Sequence, residues 1–218
     1  MSPILLLGLR DIFSGLVLRF LLKMTLISAT ITAGVIWLVH KPLMGVIQNY
    51  LAFIPWEFAQ TTGASVVSVV LAYMLFILTL SVVTSLMSEP LLIALAKKHY
   101  PEYPAKGSPT LRTSLALSLK SGLLFLGTFL LTFPLMFIPL VGAVYMLWLW
   151  SLLIKKPTHY DVTALFFTPK EQKERHIPHE TLFAMIASGF NYIPLLNIFA
   201  PVFAQILYLH AVLKKEEK

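Results

Sequence analysis

Phe190-Asn191-Tyr192-Ile193-Pro194-Leu195-Leu196-Asn197-Ile198-Phe199-Ala200-Pro201 sets two prolines inside an uncharged run that extends from Thr181 to Leu213. Two full membrane crossings of about 20 residues each, plus a turn, need more chain than the about 33 residues this run supplies. The run is therefore expected to enter the bilayer, break at Pro194 and return without crossing. Upstream, Phe137-Ile138-Pro139-Leu140-Val141-Gly142 sits midway along a second uncharged run, Ser121 to Ile154. The Ile-Pro-Leu apex thus occurs twice, roughly 55 residues apart, at matching places in two apolar runs of similar length. Two short, broken hairpins suggest an internal duplication of the kind that marks transport sites in membrane proteins.

Composition agrees with a membrane location. With 57% hydrophobic residues, 12% charged residues and a mean hydropathy of +0.79, the chain has too little polar surface for a soluble domain. It reads as one integral membrane domain. The net charge of +7 comes from basic residues grouped beside apolar runs, the pattern of the positive-inside rule, so nucleic acid is not an expected partner. The absence of cysteine excludes disulfides, thiolate metal sites and cysteine nucleophiles. Ile4 to Leu7 is a short apolar patch without the basic leader or small-residue cleavage pattern of a secretory signal.

In chain order, a first long membrane helix is expected over 12–39, with Arg19 and Lys23 on one face, placed to snorkel to headgroups. His40 to Thr62 has no basic excess and carries Trp56 beside Tyr50 and Phe53, as an outward-facing belt would. A second long helix is expected over 65–96, kinked or unwound at Glu89-Pro90 because proline removes a ladder bond. Lys97, Lys98, His99, Lys106, Arg112 and Lys120 then mark a cytoplasmic segment. Re-entrant hairpins follow at 121–154 and 181–213, separated by a cytoplasmic segment over 155–180. Within that segment Thr168-Pro169-Lys170-Glu171 has the pattern of a capped helix start. Every basic cluster falls on one face under this topology: an all-α membrane protein with two long transmembrane helices and two half-crossing hairpins. Backbone at the apices cannot face lipid unpaired, so each hairpin must pack on protein, and homo-oligomerisation is expected.

Sequence patterns for catalysis are missing: no phosphate-binding glycine loop, nucleophile elbow or paired intramembrane carboxylates. No enzyme, metal site or cofactor is expected; His176 and His179 have helix-face spacing, but Pro178 lies between them and no third ligand accompanies them. Glu89 and His99 are candidates for ion coupling, and Asn197 is the one polar contact the C-terminal apex offers a pathway. Gly8-Leu9-Arg10 has two readings. A glycine and an arginine just before a helix start suit an oxyanion, and an interfacial arginine also holds lipid headgroups.

Taken together, Gly8-Leu9-Arg10, Phe137-Ile138-Pro139 with Gly142, Tyr160-Asp161, and Ile193-Pro194-Leu195-Leu196-Asn197 with Pro201 resemble the CysZ sulfate-permease family, in the superfamily that includes the eukaryotic etoposide-induced membrane proteins. The resemblance implies an oligomeric transporter or channel of the bacterial inner membrane that takes up sulfate for cysteine synthesis. It implies a sulfate site at Gly8, Leu9 and Arg10. The family's usual second arginine is Asp11 here, and Ala94-Leu95-Ala96-Lys97-Lys98 replaces its acidic segment after the second helix. A different class of function stays open beside it: a non-transporting membrane protein that organises lipid or partner proteins through wedge-like hairpins.

Overall fold

The computed structural model describes residues 2–51, 57–193 and 195–214. Among them every regular element is helical: α1 (Ser2–Ile12), α2 (Gly15–Leu51), α3 (Glu57–Met87), α4 (Glu89–His99), α5 (Leu111–Thr132), α6 (Val141–Phe166), α7 (Pro169–Glu174), α8 (Glu180–Gly189) and α9 (Ala200–Leu213). They form two compact units, one of residues 20–86 and the other of residues 1–19 with 87–218. The expected break at Pro194, the belt residue Trp56 with Phe53, and the basic end over 215–218 lie outside the described residues.

Residues 20–86 hold most of α2 and nearly all of α3. Gly15–Ile47 and Thr61–Met87 are both long and apolar enough to cross a membrane. The helices touch where the Ser68 hydroxyl lies 3.4 Å from the Met44 sulfur. Ser28, Thr32 and Thr84 are buried, as small hydroxyl residues often are where membrane helices approach closely. Outward, Leu22, Leu26, Trp37, Leu38, Val69, Met74 and Leu78 are exposed, an apolar surface suited to lipid.

Several boundaries differ from the sequence-based expectation. α2 runs on to Leu51 rather than ending at 39, and α3 starts at Glu57 rather than 65, which narrows the break expected over 40–62. α6 continues past Ile154 to Phe166. The first long helix does not start at residue 12: α1 is separate, and the chain breaks at Phe13-Ser14, where Ser14 Oγ accepts the Val17 N–H at 3.4 Å as a cap for α2. The second does not run unbroken to residue 96. It ends at Met87, and Glu89 and Pro90 open α4, where a missing proline N–H costs nothing and an acid suits the helix dipole. The first hairpin's entering arm starts at Leu111 rather than Ser121, which makes α5 long enough to cross by length and composition. Its lysine at 120 leaves only Ser121 to Thr132 free of charge, about 18 Å of helix against a hydrocarbon core of about 30 Å.

The second unit is built around α9. This helix is apolar apart from Gln205, Tyr208 and His210, and all its residues except Pro201 and Ala211 are buried. It packs against α1, α4, α6 and α8. At 10 residues for α8 and 14 for α9, neither arm reaches the about 20 residues a crossing needs.

The described residues of the two apices match in backbone. Ile138 and Ile193 are extended, with ψ of 116° and 112°, and the leucine two residues on is forced to positive φ, 63° at Leu140 and 72° at Leu195. A carbonyl bond recurs at the same offset, from Gly142 N to Ile138 O at 2.7 Å and from Asn197 N to Ile193 O at 3.2 Å. In the first apex Val141 N also closes on Pro139 O at 2.7 Å, which makes Leu140 the centre of a tight three-residue turn. The isoleucine and leucine of the repeat thus take up matching conformations, held at a strain of about 1–3 kcal/mol per leucine.

Glycine is required at one position of this turn. A Cβ on Gly142 would run into the Met136 carbonyl, which is backbone and cannot swing aside. Gly142→Ala is therefore expected to destabilise the protein by about 1–3 kcal/mol, read as a lowered thermal midpoint in detergent; an unchanged midpoint would show that this backbone approach is not needed.

Tyr160 and Asp161 fasten α6 to the start of α5. The Tyr160 hydroxyl accepts the Thr110 N–H at 3.1 Å, and Ser114 Oγ donates to Asp161 Oδ1 at 2.6 Å. Downstream, α7 occupies the expected short helix, with Glu171 Oε2 accepting the Thr168 N–H at 2.8 Å.

Candidate functional site

Gly8, Leu9 and Arg10 lie in the last turns of α1, not ahead of a helix start, because the apolar run after Pro3 already propagates a helix. Their amides are internal to α1, so the expected free-amide cradle is absent there; the amides opening α2 belong to residues after Ser14. The three positions do different things. Gly8 is buried, and a Cβ there would stand 2.7 Å from Leu207 Cδ2 and 3.5 Å from the Phe203 ring. Leu9 and Arg10 are exposed.

The glycine explains how α1 seats. Phe199, Phe203, Leu207 and His210 recur at spacings of four, four and three, which puts them on one face of the α9 segment. α1 crosses that face: Phe13 meets the Phe199 ring at 6.1 Å, Gly8 lies against Phe203 and Leu207, and Asp11 reaches His210.

Asp11 is fully buried and organises a network across three helices. His210 Nε2 on α9 lies 3.0 Å from Asp11 Oδ2, and His99 Nε2 at the end of α4 lies 3.0 Å from Oδ1. The Lys98 ammonium donates to Oδ1 at 3.3 Å. On the far side of His210, Nδ1 meets the Tyr100 hydroxyl at 3.0 Å. Burial alone would push the Asp11 carboxyl up, but hydrogen bonds from His210 and His99 outweigh it and hold the carboxyl down to about 2. Burial, then the charges of Asp11 and Glu102, push the Tyr100 hydroxyl up to about 12.

With His210 as a neutral imidazole, those two directions fix the protons. An ionised Asp11 only accepts, so each imidazole donates to it from Nε2. A protonated Tyr100 then donates to Nδ1 of His210. The result is a continuous chain, Tyr100 to His210 to Asp11 to His99, with Lys98 as its exposed cation.

Of the residues singled out from sequence, His99 enters this network and Arg10 adjoins it. Glu89 does not. It opens α4 while His99 closes it, and an 11-residue helix separates them by about 15 Å. Asn197 is half-buried in the short turn Leu196–Ile198, two residues from the Phe199 ring that contacts Phe13. Sequence reasoning missed the joint role of Asp11, His210 and Tyr100. The available signal was His210 itself, the sole titratable imidazole in the run from Thr181 to Leu213, and ionisable groups in such runs mark function. Among the described residues no cluster of three or more His, Cys, Asp or Glu side chains has metal-holding geometry.

A family model described as sulfate transporter CysZ/etoposide-induced protein 2.4 matches residues 4–201, which takes in nearly all of α1, all of α2 to α8 and the apex of the C-terminal hairpin. Neither the curated proteins nor the solved structures contain a match to the chain.

Proposed function

As the chain belongs to the sulfate transporter CysZ/etoposide-induced protein 2.4 family, a transporter-type membrane family, we propose that it is an oxyanion transporter or channel of the bacterial inner membrane that brings in sulfate for sulfur assimilation. The observation that carries this reading is an exposed arginine, Arg10, on a helix locked in place by the buried carboxylate next to it. A guanidinium fork suits two oxygens of a tetrahedral anion, and a fixed helix reduces the entropy lost on capture. Gly8 sets the helix against α9, and Leu9 and Arg10 are exposed beside it.

Inward movement of a divalent anion against a negative-inside potential costs about 4.6 kcal/mol per 100 mV. Uptake then needs ion coupling or rapid consumption inside. The chain from Tyr100 to His99 supports proton coupling, since it ends on His99 and Lys98, the partly exposed members of an otherwise buried set. Glu89 is a weaker partner for that role. The half-crossing arms α8 and α9 favour the second reading, a non-transporting organiser of lipid or partner proteins; homo-oligomers are part of both readings.

Flux of sulfate, sulfite, thiosulfate, phosphate and chloride into proteoliposomes of the wild-type protein separates the two. A transporter gives saturable sulfate entry above the chloride rate. Silence for every oxyanion, with a lipid preference retained, selects the organiser.

A further inference from the structure

We propose that the cleft between α5, α6, α7 and α8 is a second anion site, one that takes a phosphate-type tetrahedral oxyanion. Its volume is about 640 Å³, and its polar lining is drawn from Lys155, Lys156, His159, Lys173 and Glu180. That volume is within the range of small-ligand sites. None of these residues belongs to the Arg10 region.

The lining has an inner layer that satisfies itself and an outer pair of cations that does not. Within it, Glu180 Oε1 meets His159 Nδ1 at 2.8 Å, and its Oε2 stands 3.5 Å from the Lys155 ammonium, which also donates to Thr181 Oγ1 at 3.0 Å. The Tyr160 hydroxyl is taken by Thr110, and Gln172 Nε2 donates to the Phe167 carbonyl at 2.9 Å. Glu180, the one acid of the cleft, is thus engaged by His159 and Lys155. Lys156 and Lys173 are exposed, and among the described residues neither has a carboxylate or hydrogen-bond acceptor.

Two uncompensated ammonium groups on different helices, above a pocket with apolar walls from Leu117 and Pro169, match a doubly charged tetrahedral group. Position narrows its source. Lys155 and Lys156 directly follow the apolar run Ser121 to Ile154, so the cleft stands at the boundary where a cytoplasmic leaflet carries its phosphates. Basic pockets between helices on that side hold anionic headgroups, each lysine contributing attraction that adds. A free oxyanion from the cytoplasm offers the same chemistry.

The test uses the full-length protein, wild type and K156Q/K173Q, both substitutions being at exposed positions. Native mass spectrometry counts retained phosphatidylglycerol against phosphatidylcholine, and thermal unfolding in inorganic phosphate is compared with chloride at equal ionic strength. The wild type should prefer phosphatidylglycerol, or gain thermal stability from phosphate. K156Q/K173Q should lower that preference about tenfold or more, with K156R/K173R restoring it. A response in the lipid arm identifies a headgroup, and one in the phosphate arm a soluble anion. If neither phosphatidylglycerol nor phosphate is preferred, or the preference survives in K156Q/K173Q, the proposal is wrong. Both readouts are of binding and do not depend on sulfate flux.

Discussion

Arg10→Ala is expected to remove most sulfate flux at concentrations that half-saturate wild type, while leaving the fold intact. Arg10 is exposed, and among the described residues it has no acidic partner, so truncation opens no cavity and strands no buried charge. On the proposed capture reading it removes a charge-assisted, two-pronged contact, about 1.5–3 kcal/mol of binding. That corresponds to about 10- to 100-fold in sulfate affinity. Arg10→Lys keeps the charge without the planar fork and should fall between the two. A thermal midpoint equal to wild type, together with the lost flux, would separate a site effect from a folding effect.

Asp11→Ala should do the opposite, acting on the fold before it acts on transport. The carboxylate accepts from two imidazoles and an ammonium at the junction of α1, α4 and α9. Removing it leaves the buried His210 donor without an acceptor, while Lys98 and His99 can turn to water, a loss of about 1–3 kcal/mol. Asp11→Asn keeps one acceptor oxygen and should cost less. The pH dependence follows from the direction of the shift. A carboxyl held down to about 2 when folded, against an ordinary value of 3.8 when unfolded, stabilises fully above about pH 4 and loses that contribution as pH falls toward 2. The stability gap between wild type and Asp11→Asn should therefore narrow over that interval. Measured by chemical unfolding in detergent, a gap that stays constant from about pH 6 to about pH 3 would contradict an ionised Asp11.

Much of the architecture can be read from chain length and charge because a bilayer leaves few options. The run from Thr181 to Leu213 is too short for two crossings, and α8 and α9 are correspondingly short. Glu89-Pro90 marks the break before α4, and Thr168 to Glu171 marks α7, since caps and prolines act within one turn. Position along the helix is harder to read. Nothing in the apolar pattern distinguishes a separate α1 from the start of one long helix, because the apolar residues of Ile4 to Leu9 lead on into Ile12 and Phe13 and the break rests on Phe13-Ser14 alone. Equally, no periodicity connects Asp11 to His210, which meet from opposite ends of the chain. In the sequence Asp11 is simply the acid beside Arg10. Its burial makes it the anchor that positions the adjacent arginine.

The most direct measurement of the central claim is the initial rate of radiolabelled sulfate entry into proteoliposomes, as a function of sulfate concentration, with wild type and Arg10→Ala run side by side. The proposed capture site predicts saturation for wild type and, for Arg10→Ala, a rate near that of empty liposomes at concentrations where wild type is half-saturated. Equal saturable curves for the two proteins would contradict it.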